Sequence, residues 1–372
     1  MHEIAVERYS ALLAQKRGFL LDRLSSFELP ELEVFASPAL HFRLRAEFRI
    51  WHSGDRCFYA MFSPEDKRRP IEITEFPIGS QLINTLMARL LLELHKQPIL
   101  RCKLFQVEFL TTLSNDALVT LIYHKPLDNN WQKQAEHLQD TLGFPIIGRS
   151  RKQKRVLQRD YVNETLVVEG KSLKYRQTEG GFTQPNGYIN QKMLSWTRRV
   201  STVDAGALNP VQYRELNGDL LELYCGYGNF SIALSDLYHR VLATEISKTS
   251  VALAQVNVEQ NAAANVTVIR LSSEELVQAI KGVRQFRRLA GIELADYDIK
   301  TVLVDPPRAG LDQDSVRQIQ QYERIIYISC NPETLASNLE TLNQTHCIEH
   351  LALFDQFPYT HHIETGVVLR HR

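Results

Sequence analysis

The stretch DLLELYCGYGNF, residues 219–230, decides the fold. Its first five residues read as a short buried strand, and Gly226 and Gly228 let the backbone turn sharply into a helix. The same alternation recurs downstream. RVLATE (240–245), VTVIR (266–270), TVLVD (301–305) and IIYIS (325–329) are each followed by a helical pattern. Short buried strands separated by helices predict an α/β chain with a parallel, doubly wound sheet. IEHLALF (348–354) and ETGVVLR (364–370) have no helix between them, so they are expected to pair antiparallel at one edge. Ligands bind such sheets at the carboxyl ends of strands. That rule selects residues 224–229, 245, 305–308 and 330–332.

Before about residue 180 the pattern is different. Over 3–27, Ile4, Tyr9, Leu12, Leu13, Leu20 and Leu24 fall near helical spacing. HFRLRAEFRIWH (41–52) and CFYAMF (57–62) alternate around Ser53, Gly54 and Asp55, which predicts a hairpin. Residues 80–98 read as a helix and 104–124 as a second hairpin around Ser114, Asn115 and Asp116. The expectation is an α+β domain with an antiparallel sheet over 1–180 and a doubly wound domain over 181–372.

The 372 residues carry 43 Lys+Arg and 43 Asp+Glu, with 44% apolar residues. Such a composition excludes a disordered, collagen-like or membrane-spanning chain. The net charge of zero is unevenly spread. Residues 1–150 are neutral, 151–200 hold 11 basic and 4 acidic side chains, and 201–372 hold 14 and 21. A basic stretch beside an acidic half suits a polyanion bound on one side. The five cysteines are scattered without a CxxC pair, so neither a disulfide framework nor a zinc or iron–sulfur site is expected. The N-terminus is charged throughout, unlike a signal peptide, and no apolar run nears the ~20 residues of a membrane span. The expected location is the cytoplasm.

Several strand ends carry chemistry. The Gly226/Gly228 turn lacks the third glycine of a dinucleotide fingerprint, because Ser231 occupies its place, so a pyrophosphate cradle is disfavoured. Glu245 ends the next strand, where a carboxylate can accept both hydroxyls of a ribose. Together they suggest an adenosine-containing ligand without a diphosphate, and S-adenosylmethionine fits; the alternative is a purely structural turn. Asp305 precedes two prolines in a stiff loop, placed either to face the cleft or to cap the next helix. Cys330 lies at a strand end before Asn331 and Pro332, where a helix start can lower a thiol pKa; most unpaired cysteines are buried packing groups. Near the C-terminus, FPYTHHIE (357–364) places Glu364 as a candidate general base. His361 and His362 point to opposite faces in an extended chain, so no metal is expected.

At these residues the chain resembles the class I S-adenosylmethionine-dependent RNA uracil C5-methyltransferases. The likeness runs through FTQPN (182–186), LELYCGYGNF (221–230), ATE (243–245), VDPPRAGLD (304–312), YISCNPETL (327–335) and FPYTHHIE (357–364). HFRLRAEFRIWH (41–52), LFQVEFLTTLSN (104–115) and LIYHKPLD (121–128) extend it to the N-terminal half, where it is similar to members acting on the T loop of tRNA. Ribosomal-RNA members typically carry an extra N-terminal barrel and a cysteine-ligated cluster, so the expected substrate is tRNA. Tyr227 departs from the family, which has a smaller polar residue there, but both glycines remain. The resemblance implies a class I, Rossmann-like methyltransferase sheet and an N-terminal RNA-binding domain. It implies that Gln184, Tyr224, Asn229, Glu245 and Asp305 line the S-adenosylmethionine site, that Cys330 is the nucleophile and that Glu364 is the base. The implied activity is C5 methylation of the T-loop uridine, position 54, with no metal or cluster. The alternatives are an RNA-folding protein with methylation secondary, or methylation of uridine in another RNA carrying a T-loop-like hairpin.

RNA contacts are expected from Arg43, Arg45 and Arg49, which fall on one face of a strand. Phe105 and His124 either stack on displaced bases or belong to a core. Arg308 either stabilises an enolate oxygen, touches a phosphate or forms a surface ion pair. The run Arg151, Lys152, Lys154, Arg155 and Arg159 reads equally as an RNA contact or a solvated face.

Overall fold

The computed structural model describes residues 4–63, 66, 68–202 and 210–372. A 3-10 turn (Val6–Arg8), helix α1 (Tyr9–Arg23) and strand β1 (Leu32–Phe35) open the described chain. The expected start of that helix at residue 3 lies outside the described residues. Next come β2 (Arg45–Ser53), β3 (Arg56–Phe62), β4 (Pro70–Ile73), α2 (Gln81–Lys96), α3 (Pro98–Arg101), β5 (Leu104–Thr111), β6 (Ala117–Tyr123), α4 (Asn129–Leu142), β7 (Ile146–Ser150) and β8 (Gln153–Val156). A ribbon of β9 (Tyr161–Val168) and β10 (Lys171–Thr178) leads to α5 (Gly187–Ser201) and α6 (Pro210–Asn217). The remainder alternates: β11 (Asp219–Leu223), α7 (Asn229–Leu234), β12 (Val241–Thr244), α8 (Lys248–Gln260), β13 (Val266–Ile269), α9 (Ser273–Ile280), β14 (Ile299–Val304), α10 (Gln313–Ile319), β15 (Arg324–Ser329) and α11 (Pro332–Leu342). It closes with β16 (His346–Phe354) and β17 (Glu364–His371).

Two compact units result, but not from one break at residue 180. The N-terminal unit holds 38–165 and 176–187 with the residues before Glu7. The C-terminal unit holds 7–37, 166–175 and 188–372. The cause of this departure is β1, which pairs parallel with β16 (Leu32 opposite Leu351) and so takes the first helix into the C-terminal unit. A partner so far along the chain leaves no mark on local composition.

In the C-terminal unit the sheet order is β1-β16-β17-β15-β14-β11-β12-β13. β11 pairs parallel with β12 on one side and β14 on the other, so the winding reverses there, and it is outside the carboxyl ends of strands at such a point that open α/β sheets bind ligands. β17 runs antiparallel to β16, as the missing helix required, and also to β15; the pair is not the edge of the sheet, because β1 adds beyond β16. One face buries Leu221, Leu223, Val302, Val304, Ile325 and Tyr327 against Leu20 of α1, Leu24 just after it, and Leu335 and Leu339 of α11. Burying each such leucine contributes roughly 1.5–3 kcal/mol, and this fixes helices of modest intrinsic amphipathicity.

In the N-terminal unit the order is β4-β3-β2-β5-β6-β7-β8. Both expected hairpins are present, β2–β3 and β5–β6. The sheet is not wholly antiparallel, however, because β6 and β7 pair parallel. Helix α4 stands between them and returns the chain to the end it left, which is how a crossover yields parallel neighbours. Its Trp131, Ala135, Leu138 and Leu142 are buried, as are Ile83, Leu86, Leu90 and Leu94 of α2. Among the described residues no helix is long and apolar enough to cross a membrane.

Candidate active site

Four side chains singled out above stand in equivalent positions. Tyr224, Glu245, Asp305 and Cys330 each follow directly on the last residue of β11, β12, β14 and β15. Glu364 is the first residue of β17. Because β17 is antiparallel to β15, with Ser329 opposite Thr365, the start of β17 meets the end of β15 and Glu364 comes beside Cys330.

The turn after β11 is held in an unusual backbone shape. Tyr224 adopts φ 62°, a left-handed conformation costly for a bulky residue. Its hydroxyl is 2.7 Å from the Ser273 hydroxyl at the start of α9. Gly226 and Gly228 follow at φ 56° and 86°. The Gly226 N–H donates to one Glu245 oxygen (3.1 Å) and the Ser247 N–H to the other (2.7 Å), so the carboxylate ties two strand-end turns together. Asn229 and Asn190 exchange reciprocal amide bonds of 2.9 and 3.1 Å, both buried, and the Tyr175 hydroxyl donates to the Asn229 carbonyl at 2.9 Å. Asn229 thus anchors the turn from below.

Beneath the turn, Glu222 is fully buried. The Ser231 hydroxyl donates to one of its oxygens and the other has no hydrogen-bond partner. Burial pushes this carboxyl up to about 8, with Asp305 and Glu245 adding to the rise against the Ser231 bond. Ser231, at the position of a dinucleotide fingerprint's third glycine, is thus the hydrogen-bond partner of Glu222.

Burial pushes the Asp305 carboxyl up to about 7. Glu364, 5% exposed, is pushed well above the usual carboxylate range by burial and by Asp305, with Arg308 opposing. The Cys330 thiol is pushed up to about 11 by burial, then by Glu364 and Asp305, against the opposing charge of Arg308. The expected lowering by a helix start is not realised. Cys330 precedes the cap residue Asn331, whose side chain itself accepts the Glu333 N–H, and two neighbouring carboxyls outweigh what remains. Cys225 is fully buried with its thiol raised, consistent with packing.

Arg308 is exposed and lies 3.3 Å from the ring nitrogens of His362. Its carbonyl accepts the Asn331 amide at 3.0 Å, which pins the Asp305 loop onto α11. His361 and His362 are adjacent rings, 4.3 Å between centroids.

Gln184 belongs to the other unit and is 8% exposed. In that unit Arg45, Glu47 and Arg49 alternate with buried Ala46, Phe48 and Ile50 along β2. Arg43 is half-buried and donates to the Arg45 carbonyl at 2.9 Å, while Arg45 donates to the Gly181 carbonyl at 2.6 Å. Arg49 lies over the Phe105 ring at 3.9 Å, and Phe105 stacks on His124 at 4.1 Å. A register shift between Leu104 and Gln106 takes Phe105 out of the ladder, so it joins a surface stack rather than a core. Within the basic run, Lys154 pairs with Asp160 and Glu179, Arg159 with Asp116, and Arg155 donates to Gln132. Those three side chains are engaged by their own unit.

Sequence reasoning missed Glu222, Ser231 as its partner, and Asn190. An acidic residue inside the apolar strand DLLEL was the available signal for Glu222; Asn190 has none.

The model of the tRNA (uracil-5-)-methyltransferase family matches residues 8–372. A tRNA/tmRNA (uracil-C(5))-methyltransferase of Stutzerimonas stutzeri is 54% identical over 98% of both chains. Its counterpart from Aggregatibacter aphrophilus is 53% identical over 99% of both. Among solved structures, the Pyrococcus abyssi tRNA (uracil-54, C5)-methyltransferase in complex with S-adenosyl-L-homocysteine is similar with a TM-score of 0.72, covering 97% of this chain and 83% of that one, at 21% identity. That likeness supports the α/β methyltransferase fold.

Proposed function

The chain belongs to the tRNA (uracil-5-)-methyltransferase family, and on that premise we propose that it methylates C5 of the T-loop uridine, position 54, of tRNA through a covalent bond between Cys330 and C6. The register that brings Glu364 beside Cys330 at the sheet's carboxyl end is the observation that carries this reading. Relatives named for tRNA and tmRNA, at 51–54% identity, support RNA uracil as the substrate. The S-adenosyl-L-homocysteine bound by the archaeal relative supports S-adenosylmethionine as the donor.

Tyr224, Asn229, Glu245 and Asp305 are the residues proposed to hold that donor, and the resemblance adds Gln184 to them. Glu245 offers the ribose hydroxyls an acceptor. The donor supplies a methyl carbon made electrophilic by its sulfonium, which C5 takes with its electron pair. The chain's own work lies on either side of that transfer. With its thiol raised to about 11, Cys330 needs a neighbouring carboxylate to receive its proton, and Asp305 at about 7 is suited to do so. The sulfur then bonds C6, and the C5–C6 π pair moves to C5. After transfer Glu364 takes the C5 proton, the pair re-forms the double bond, and the C6–sulfur bond breaks. Arg308 stands where an added positive charge favours the thiolate.

The N-terminal unit is proposed to bind the RNA. The Arg49–Phe105–His124 stack offers a platform for an unstacked base, worth roughly 1–3 kcal/mol per base, and Arg43 and Arg45 add charge beside it. A T-loop uridine is stacked in the folded RNA and must leave the stack to react.

Fluorine at C5 cannot leave as a proton, so tRNA carrying 5-fluorouridine at position 54 should form a denaturant-resistant complex with the protein and S-adenosylmethionine. Cys330→Ala should bind the same RNA and form none. Wild-type protein that methylates ordinary tRNA without trapping the fluorinated one would refute the role of Cys330.

A further inference from the structure

The segment 355–363, which joins β16 to β17 and delivers Glu364, is gripped by the opening helix of the chain. Lys16 of α1 donates to the Asp355 carboxylate at 2.6 Å and to the Phe357 carbonyl at 2.8 Å. The two charged side chains are only 5% and 1% exposed. Tyr9, at the start of α1, hydrogen-bonds Asp355 as well, accepts the Ser37 N–H at 2.8 Å, and sets its ring 5.7 Å from that of Tyr359. Tyr359 stands at φ 62°, a conformation a tyrosine keeps only when its surroundings impose it. The base of the segment is held too, since the Asp355 N–H donates to the Phe35 carbonyl at 3.0 Å and Phe35 stacks on Phe354.

A buried ion pair is a poor device for stability alone, because desolvation offsets most of its attraction and apolar residues of equal volume serve as well. What it adds is one geometry. Lys16 also reaches past the carboxylate to a main-chain carbonyl, so it fixes backbone and not only a partner side chain. We propose that Lys16 is a positioning residue: with Tyr9 it clasps 355–363 and so determines where Glu364 presents its carboxyl. The proposal rests on the reading of Glu364 as acceptor of the C5 proton.

The paired replacement Lys16→Met with Asp355→Asn removes both charges and strands neither. Tyr9→Phe removes one hydroxyl and tests the same clasp with less risk to folding. Three readouts apply to the full chain. Amide hydrogen exchange across 356–363 should quicken while exchange in β14 and β15 stays slow. On ordinary tRNA, kcat should fall about 10- to 100-fold in the paired variant, as expected for a base displaced by about 1 Å, with KM for donor and RNA changed little. On 5-fluorouridine tRNA the covalent complex should form at nearly the wild-type rate, because that base has no C5 proton for Glu364 to remove. Tyr9→Phe should move exchange and kcat the same way by a smaller factor. Unchanged exchange, or an unchanged kcat with quickened exchange, overturns the proposal. So does a parallel loss of turnover and fluorouridine complex, which would mean damage to the whole site. A wild-type chain that formed no such complex would instead overturn the reading of Cys330, and the exchange measurement would still decide the clasp.

Discussion

Replacing Glu364 by Gln keeps the side chain's volume and removes its capacity to accept a proton. The side chain is 5% exposed, so bulk water has little access to act in its place. A positioned general base contributes roughly 10²- to 10⁴-fold, or about 2.7–5.5 kcal/mol at about 1.36 kcal/mol per tenfold. The seclusion of Glu364 argues for the upper half of that range, so turnover on ordinary tRNA should fall by about 10³- to 10⁴-fold. The earlier steps should survive. Glu364 is the second cause, after burial, of the raised Cys330 thiol, and removing its charge makes that thiol easier to ionise. With addition intact and elimination blocked, an RNA–protein adduct already methylated at C5 should accumulate toward one per enzyme. A single-turnover reaction quenched in detergent and resolved on a denaturing gel measures it, and mass analysis of the Cys330 peptide identifies it. Turnover within about tenfold of wild type would refute the assignment, as would lost turnover without a trapped adduct.

Two further predictions concern the scaffold. A Cβ on Gly366 would lie 2.8 and 2.9 Å from the Trp196 ring and 3.0 Å from Phe354, both buried, so Gly366→Ala should cost about 1–3 kcal/mol. Calorimetry should show Tm lowered by about 2–12 °C, and an unchanged Tm would contradict the packing described. Glu222, raised to about 8 in the folded chain, is neutral and well accommodated at low pH. Its contribution to stability is present below its ordinary value of about 4.3 and is lost as pH rises through about 8. Thermal melts of Glu222→Gln should therefore gain on wild type between pH 6 and pH 9; a difference independent of pH would refute the raised carboxyl.

Much of the C-terminal sheet was legible because each strand is short, apolar and punctuated. DLLEL was expected at 219–223 and β11 spans those residues. Strand-end logic pointed to Tyr224, Glu245, Asp305 and Cys330 from local pattern alone, since each directly follows an apolar run. Glu364 was picked from FPYTHHIE as a general base, but its place beside Cys330 depends on the direction of β17, which local pattern does not carry; Gln184 needed the resemblance. The parallel pairing of β6 with β7 was missed because nothing in either strand encodes direction; the intervening helix does. The thiol of Cys330 was misjudged because a helix start is visible in Asn331-Pro332, whereas burial and two carboxyls from distant strands are not. Arg49 was picked on alternation and Phe105 as an aromatic left between base stacking and core, but their mutual stacking depends on a one-residue register shift in β5 that no periodicity announces.

The late partner of the first helix has a bearing on how the chain is made. Lys16 and Asp355 are 339 residues apart in sequence. At about 5–20 residues per second, a ribosome takes roughly 17–70 s to span that distance. Throughout that interval Leu20 and Leu24 have no finished core to enter, and β1 offers an unpaired edge. The unit built from 38–165 and 176–187 has all its segments long before then. The first helix to emerge is thus among the last to settle, and synthesis rate and chaperone supply bear on the yield of this enzyme through its opening residues.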